Sequence, residues 1–309
     1  LEIVDQPGIL DILNIIKIFK IVKEINPDVI HGHGAKGGLY ARMAGFCLGV
    51  RTIYTSHGGA IHDMHGGLKN LIYSLVEKLL YFFTTKLVFE SKYSMNQYAQ
   101  KVNKDTSKYI LNYNAIETPD EFMSKKLREL PIDEDIQIGA FGLLRKIKGH
   151  DLVIRAIKIL RNDGYRVNFR IFGDGEERST LESLAKELDI SEYVSILPKT
   201  NDVFMAMKDC HIIVHPSRFE SFGYVPLEAT VNGISVVSSL EGGLLEVMDH
   251  GRSGFCVSEL TPEAFANEIK KNIENKEERE KRYLNSKEMI LKDFSSKAFL
   301  KNLSIIYKG

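Results

Sequence analysis

Residues 211–229 read HIIVHPSRFESFGYVPLEA. The opening HIIVH is a short β-branched run closed by Pro216-Ser217, the pattern of a buried strand. Phe222-Gly223 then marks a turn, and Pro226 suits the first turn of a helix. Strand, loop and helix follow one another within nineteen residues. Glu220 falls on the loop and Glu228 on the helix, eight residues apart. This is one step of a β/α alternation, with two carboxylates placed just beyond the end of a strand.

The alternation extends both ways from that step. IQIGAFG (136–142), VNFRIFG (167–173), YVSILP (193–198), ISVVSS (234–239) and GFCV (254–257) read as strands. Helices open between them near Gly149, Glu176, Asp202, Tyr224, Gly243 and Pro262, and two more follow from Lys276 and Ser295. In the first half, DVIHGH (28–33), RTIYTSH (51–57), KLVFES (86–91) and YILNYNAI (109–116) read as strands. LDILNIIKIFKIVKEI (10–25), GLYARMAGFCLG (38–49), LKNLIYSLVEKLLYFF (68–83) and a run from Lys92 read as helices. Such alternation gives a parallel sheet with helices on both faces. Residues 114–135 break the rhythm with a polar, charged stretch holding Pro119 and Pro131, which reads as an interdomain linker. The expectation is an α/β chain with one doubly wound domain over residues 1–130, a second over 131–290, and a closing helix over 291–309. Ligands of open α/β sheets sit at the carboxyl ends of the strands. Two such sheets facing each other make a cleft for two substrates.

Composition narrows the partners. Lys and Arg total 41, as do Asp and Glu, so the formal net charge is zero and no global field draws in nucleic acid. Cys47, Cys210 and Cys256 form no Cys-x-x-Cys pair and read as small buried apolar residues in a reducing cytoplasm. No apolar run approaches the length of a membrane span. The greasiest stretch, LIYSLVEKLLYFF (71–83), is interrupted by Glu77 and Lys78 and reads as a buried helix. Peripheral contact with a membrane surface is its alternative. The chain opens on Leu1 and a helix-like run with no strand before it, so the N-terminal part of the first domain is expected to be missing.

Around Glu220 and Glu228 the residue types suit a phosphorylated sugar. A carboxylate accepts two hydroxyl hydrogen bonds at once, which fits a ribose or hexose diol. Backbone N–H groups from Phe222 through Gly223 and Tyr224 to Val225, at a helix N-terminus, can hold a phosphate, and Gly223 lets the backbone approach closely. Arg145 and Lys148, on the loop after IQIGAFG, are placed to meet a diphosphate and stabilise charge growing on it as it leaves. Gly173-Asp174-Gly175 is a tight strand-to-helix turn, weak evidence for nucleotide binding by itself. Asp133-Glu134-Asp135 spells a metal-binding D-x-D, but it precedes a strand and reads as solvated charge.

The E-x7-E spacing resembles the signature of the retaining glycosyltransferases with the GT-B fold, the large family four. The resemblance extends over nearly all residues from 28 onward. GLLRKIKGHDLVIRAI (142–157) is similar to the family's segment opening the donor domain, and IFGDGEERSTLESLAKEL (171–188) to its G-D-G loop and helix. DVFMAMKDCHIIVHPSRFESFGYVPLEA (202–229) is similar to its core stretch, and SSLEGGLLEVMDHGRSGFCV (238–257) to the next strand and turn. DFSSKAFLKNLSIIY (293–307) is similar to its closing helix, which crosses back to the first domain. One departure stands out: many relatives place the Arg directly after the glycine, where this chain has Leu143.

The resemblance implies two Rossmann-like domains facing across a cleft, the first incomplete. It implies a retaining sugar transfer from a nucleoside diphosphate sugar to a glycan or lipid-linked acceptor. The family's habit places this in bacterial surface polysaccharide synthesis, in the cytoplasm or on the cytoplasmic face of the inner membrane. Glu228 would hold the nucleotide ribose, Glu220 the donor sugar's hydroxyls, and Arg145 with Lys148 the leaving diphosphate. Gly142 and Gly173 would line the donor cleft. The loop at Gly242 and Gly243 would lie near the donor or be a structural turn. YTSHGG (54–59) resembles the family's T-x-H segment, which makes His57 the candidate at the reacting centre. His31, His33, His62 and His65 would be acceptor contacts or strand-end polar residues. No H-E-x-x-H spacing supports zinc, and no metal or other cofactor is expected. Without a G-x-S-x-G turn, Ser56-His57 does not suggest a hydrolase. Two other readings remain open: a sugar-nucleotide epimerase on the same fold, and a non-catalytic sugar-nucleotide-binding subunit.

Overall fold

The computed structural model describes residues 8–57 and 67–308. By contacts the chain divides into two units. One takes in the chain to Asn114 together with the stretch from Phe299, and the other is Ala115–Ala298.

In the first unit, α1 (Ile9–Ile25), β1 (Val29–His33), α2 (Gly34–Leu48), β2 (Arg51–Thr55), α3 (Gly67–Phe82), β3 (Lys86–Phe89), α4 (Lys92–Lys101) and β4 (Tyr109–Leu111) follow in order. The sheet is parallel with order β1-β2-β3-β4, stepping in one direction. Alternate residues serve opposite faces, as the two-residue period of a strand requires. Tyr54, Leu87 and Phe89 join Tyr81 and Tyr98 in one core. Ile53 and Val88 meet Ile306 of the C-terminal helix in the other.

Helix α3 corrects the sequence reading of a buried helix. Leu71, Ile72, Leu75, Leu79 and Phe82 are exposed, Phe82 at 72%. Its buried residues are Leu80, Tyr81 and Glu77, and the two Glu77 oxygens each accept from Arg42 at 2.8 Å. Arg42 is fully buried and lies over the Tyr54 ring. The supposed interruption of the helix is therefore its inward anchor. Cys47 also departs from expectation, being exposed, whereas Cys210 is buried.

The second unit holds β5 (Ile136–Phe141), α5 (His150–Asn162), β6 (Val167–Phe172), α6 (Arg178–Glu187), β7 (Val194–Leu197), α7 (Val203–Met207) and β8 (Ile212–His215). It continues with α8 (Tyr224–Val231), β9 (Ser235–Ser238), α9 (Leu244–Val247), β10 (Phe255–Cys256), α10 (Pro262–Glu274) and α11 (Lys276–Met289). A π turn at Ile290–Phe294 leads into α12 (Ser296–Lys308), which passes into the first unit at Phe299. The sheet is parallel, order β10-β9-β8-β5-β6-β7. Ile138 and Ala140 of β5 with Ile212 and Val214 of β8 face α5, α6 and α10. Phe141 and Ile213 face Met207 and Ala229 of α7 and α8. Local signals set the boundaries: Thr261 caps α10 by accepting from the Ala264 N–H, and Pro262 opens it.

The stretch read as a linker is strapped to this second unit. Phe122 is buried, the Arg128 N–H donates to Gly233 O at 2.7 Å, and Lys287 Nζ donates to Met123 O and Lys125 O at 2.7 and 2.9 Å. The contact boundary accordingly falls after Asn114, not at residue 130. Within the stretch, Asp135 pairs with Arg161 and Arg166. No helix among the described residues is long and apolar enough to cross a membrane.

Candidate active site

The strand order of the second unit reverses between β5 and β8: the chain advances outward through β6 and β7, then returns to lay β8 on the other side of β5. Beyond the carboxyl ends of two such strands the connecting loops diverge and leave a crevice. The loop after β5 carries Arg145 and Lys148, and the loop after β8 carries Glu220.

The two loops are held together closely. Gly149, with φ of 71°, lies so near Pro216 O that a Cβ there would collide with it. Arg218 staples them: its guanidinium donates to both Asp151 oxygens at 2.8 Å and to Lys146 O at 2.6 Å, and its backbone N–H donates to Ile147 O at 2.7 Å. A bidentate charge-assisted pair of this kind fixes orientation as well as adding energy. The loop after β9 braces the other side. The Gly243 N–H donates to Glu220 O at 2.8 Å, and Gly242 is packed against the same carbonyl. Gly242 and Gly243 thus support the glutamate loop from behind.

Glu220 is held through one oxygen. Its Oε2 accepts from Lys148 Nζ at 2.6 Å and from Ser217 Oγ at 3.2 Å, and lies 3.3 Å from His215 Nε2. Among the described residues Oε1 has no protein partner, and the side chain keeps 17% of its exposure. Burial raises its pKa, but the His215 hydrogen bond and charge and the Lys148 ammonium outweigh that and hold the carboxyl at about 2. Glu220 is thus an ionised, fixed acceptor with one oxygen free for a ligand hydroxyl.

Glu228 lies on α8 with no side-chain partner among the described residues, and burial pushes its pKa up. A half-buried carboxylate without a donor is costly unless a ligand supplies one. Gly223 caps α8 with φ of 101°, a conformation open to glycine, and Leu244 fills the space where a side chain would go. Tyr224 is exposed at 43%. The Phe222 ring is 2% exposed, packed on Phe294 and Tyr224, so only its backbone is left to face a ligand.

The glycine turns complete the floor. Gly173 leaves no room for a Cβ against Gly142 O, and the Leu144 N–H donates to Asp174 O at 3.0 Å. Asp174 itself pairs with Arg178 at 3.0 Å. Arg145 is exposed on the same loop and is not drawn to Glu220.

His57 lies in the first unit, at the carboxyl end of β2, with φ of 49°. Its Nε2 is 2.9 Å from His33 Nδ1, and His31 is held by Thr55 Oγ1 at 2.9 Å and Tyr307 OH at 2.8 Å. Burial lowers the pKa of all three, His31 to about 4, with neighbouring histidines adding to the effect on His31 and His33, so the cluster is neutral at pH 7. A hydrogen bond between two neutral imidazoles requires complementary tautomers. His62 and His65 lie outside the described residues. Among the described residues no three His, Cys, Asp or Glu side chains are grouped to hold a metal ion.

Sequence reasoning missed His215, Ser217, Arg218 and Asp151. His215 and Ser217 flank the signature closely enough to be found, but the Arg218–Asp151 pair spans 67 positions and has no local signal.

Comparison with known families follows the same division. The family of glycosyl transferases group 1 matches residues 123–289, more than half of the chain. The chain belongs to this family. The glycosyl transferase 4-like family matches residues 4–91. An uncharacterized glycosyltransferase of Haemophilus influenzae is 30% identical over 168 residues, 54% of this chain and 47% of that protein. The capsular polysaccharide biosynthesis glycosyltransferase CapM of Staphylococcus aureus is 25% identical over 224 residues, 72% of this chain and 57% of CapM. The chain therefore spans about half the length of these relatives. The crystal structure of Anabaena HepE in complex with UDP and glucose superposes with a TM-score of 0.80 at 22% identity, covering 98% of this chain and 84% of that one. The fold of this group 1 chain is the GT-B fold.

Proposed function

We propose that the protein is a retaining glycosyltransferase that moves a sugar from a nucleoside diphosphate sugar to a glycan or lipid-linked acceptor in surface polysaccharide synthesis. The observation that carries this is the carboxylate pair at the switch point: Glu220 is ionised and fixed through Oε2, and Glu228 is half-buried, with neither Glu220 Oε1 nor the Glu228 carboxylate partnered among the described residues. HepE was crystallised with UDP and glucose, and CapM is named for capsule synthesis, which supports the donor class and the pathway class.

In this reading Glu228 accepts the ribose hydroxyls and Glu220 Oε1 accepts a hydroxyl of the donor sugar. Lys148, with Arg145 swinging in from its exposed position, carries the diphosphate, together with the N–H groups that open α8. As the bond from the anomeric carbon to the phosphate oxygen breaks, these cations and N–H groups stabilise the charge that develops. The acceptor oxygen bonds to the anomeric carbon on the same face, and its proton passes to the departing phosphate. Lys148, Arg145 and the helix N–H groups take the part a divalent metal would otherwise play, so turnover is expected to survive chelation. In this reading His57 is the candidate at the reacting centre, its pKa lowered by burial so that it stands there as a neutral imidazole. The exposed leucines of α3, bordered by Lys78, support peripheral contact with an anionic membrane face.

The deciding experiment is titration calorimetry of UDP, GDP and ADP in chelator, on wild type and Glu228→Ala. One nucleotide should bind, and the variant should lose about 1.5–3 kcal/mol, roughly ten- to a hundredfold. Undiminished binding by the variant would refute the ribose assignment. Transfer assays on the full chain, with the product anomer read by NMR, test retention.

A further inference from the structure

The amino ends of the strands in the second unit, opposite the candidate active site, hold a small cavity of about 10 Å³. Its walls include Ser235, Ser253, Phe255, Arg279, Arg282 and Tyr283. That volume admits one occupant of about water size.

Three buried polar atoms on these walls, Arg279 Nε, Arg282 Nε and Ser253 Oγ, make no hydrogen bond among the described residues. Arg279 on α11 is 4% exposed. Its Nη1 donates to Asn272 O and, at 3.2 Å, to Ile273 O, but its Nε–H has no acceptor among the described residues. Ser253 is also 4% exposed, and its Oγ has no partner. Arg282 differs in having a counter-charge: Glu278 lies 2.9 Å from its Nε as an ion pair, although the geometry makes no hydrogen bond. Arg279 forms no ion pair among the described residues, and burial lowers its pKa against the weaker influence of the Glu129 and Glu280 charges.

A guanidinium keeps its charge in any protein environment and offers only donors. Buried without a counter-charge, it is costly. A water molecule would satisfy the Nε–H but leave the charge uncompensated. A halide, little larger than water, does both. We propose that this cavity binds a monatomic anion, chloride in the cell, held by the Arg279 Nε–H and the Ser253 Oγ–H. The site would tie α11 to the turn before β10 and link stability to anion concentration, independently of the transfer reaction.

Bromide substitution tests this directly. Crystals of the full chain grown in bromide should show an anomalous peak in the cavity beside Arg279 Nε and Ser253 Oγ. A water with no anomalous signal there would overturn the proposal. In solution, replacing gluconate by chloride at constant ionic strength should raise Tm by about 3 °C at ten times the dissociation constant. Ser253→Ala should weaken that dependence and Arg279→Gln abolish it, with nucleotide binding unchanged. A wild-type Tm indifferent to the anion would count equally against it. If Arg279→Gln does not fold, Ser253→Ala and the wild-type bromide map still decide.

Discussion

Glu220 and Glu228 have the same side chain, eight residues apart, and opposite electrostatics. Glu220 is charged because the protein supplies its donors, whereas burial pushes the Glu228 carboxyl up and no side-chain donor meets it among the described residues. Glu228→Gln removes a half-buried charge that has no partner, so the ligand-free variant should melt above wild type while binding nucleotide ten- to a hundredfold more weakly. Paired melting and calorimetry measure both, and a variant that melts lower would mean that Glu228 has a structural partner. For Glu220 the folded pKa lies below the ordinary 4.5, so its stabilisation is full above 4.5 and is lost as pH falls toward about 2. Glu220→Gln should therefore be less stable than wild type at pH 7 and converge with it in acid. Melting curves from pH 7 down to 2 give the comparison, and parallel curves would contradict the assigned shift. Spacing singled these two residues out as candidates. Their opposite environments were not legible, since those depend on Lys148, 72 positions from Glu220, and on how far burial goes at Glu228.

At the scale of elements, the β/α alternation was legible because each strand is a short β-branched run and each helix has its own local start, as at Thr261-Pro262. What each helix faces was not legible. In α3 the apolar residues suggested burial and Glu77 an interruption, yet Glu77 faces inward to Arg42 of α2 with Leu80 and Tyr81, while Leu71, Leu75 and Leu79 face outward. Glu77→Gln would leave Arg42 charged and buried with a neutral partner, at a cost of about 3–5 kcal/mol. Arg42→Met combined with Glu77→Leu should recover most of the loss, because it removes the stranded charge with the pair. Denaturant melts of the single and double variants separate the cases. A Glu77→Gln protein as stable as wild type would show the pair to be incidental.

At the scale of the whole chain, the sequence located two tandem α/β units but put their boundary too late. Prolines and charge in residues 114–135 look like a linker, and the carbonyls of Met123, Lys125 and Gly233 that anchor the stretch reveal themselves only in the fold. The two units have separate cores, Tyr54 with Phe89 in one and Ile138 with Phe169 in the other. Separate cores unfold as separate cooperative units unless their interface is large. Both carboxylates of the candidate site belong to the second unit. Scanning calorimetry suits a chain with no tryptophan, and it should resolve two transitions. Nucleotide at a hundred times its dissociation constant adds about 2.7 kcal/mol to the state that binds it. That increment should raise one transition by several degrees and leave the other in place. Glu228→Ala should cancel the rise at the same nucleotide concentration. A single transition moved as a whole would mean the two cores melt together, and two transitions indifferent to nucleotide would remove the carboxylate pair from the donor site.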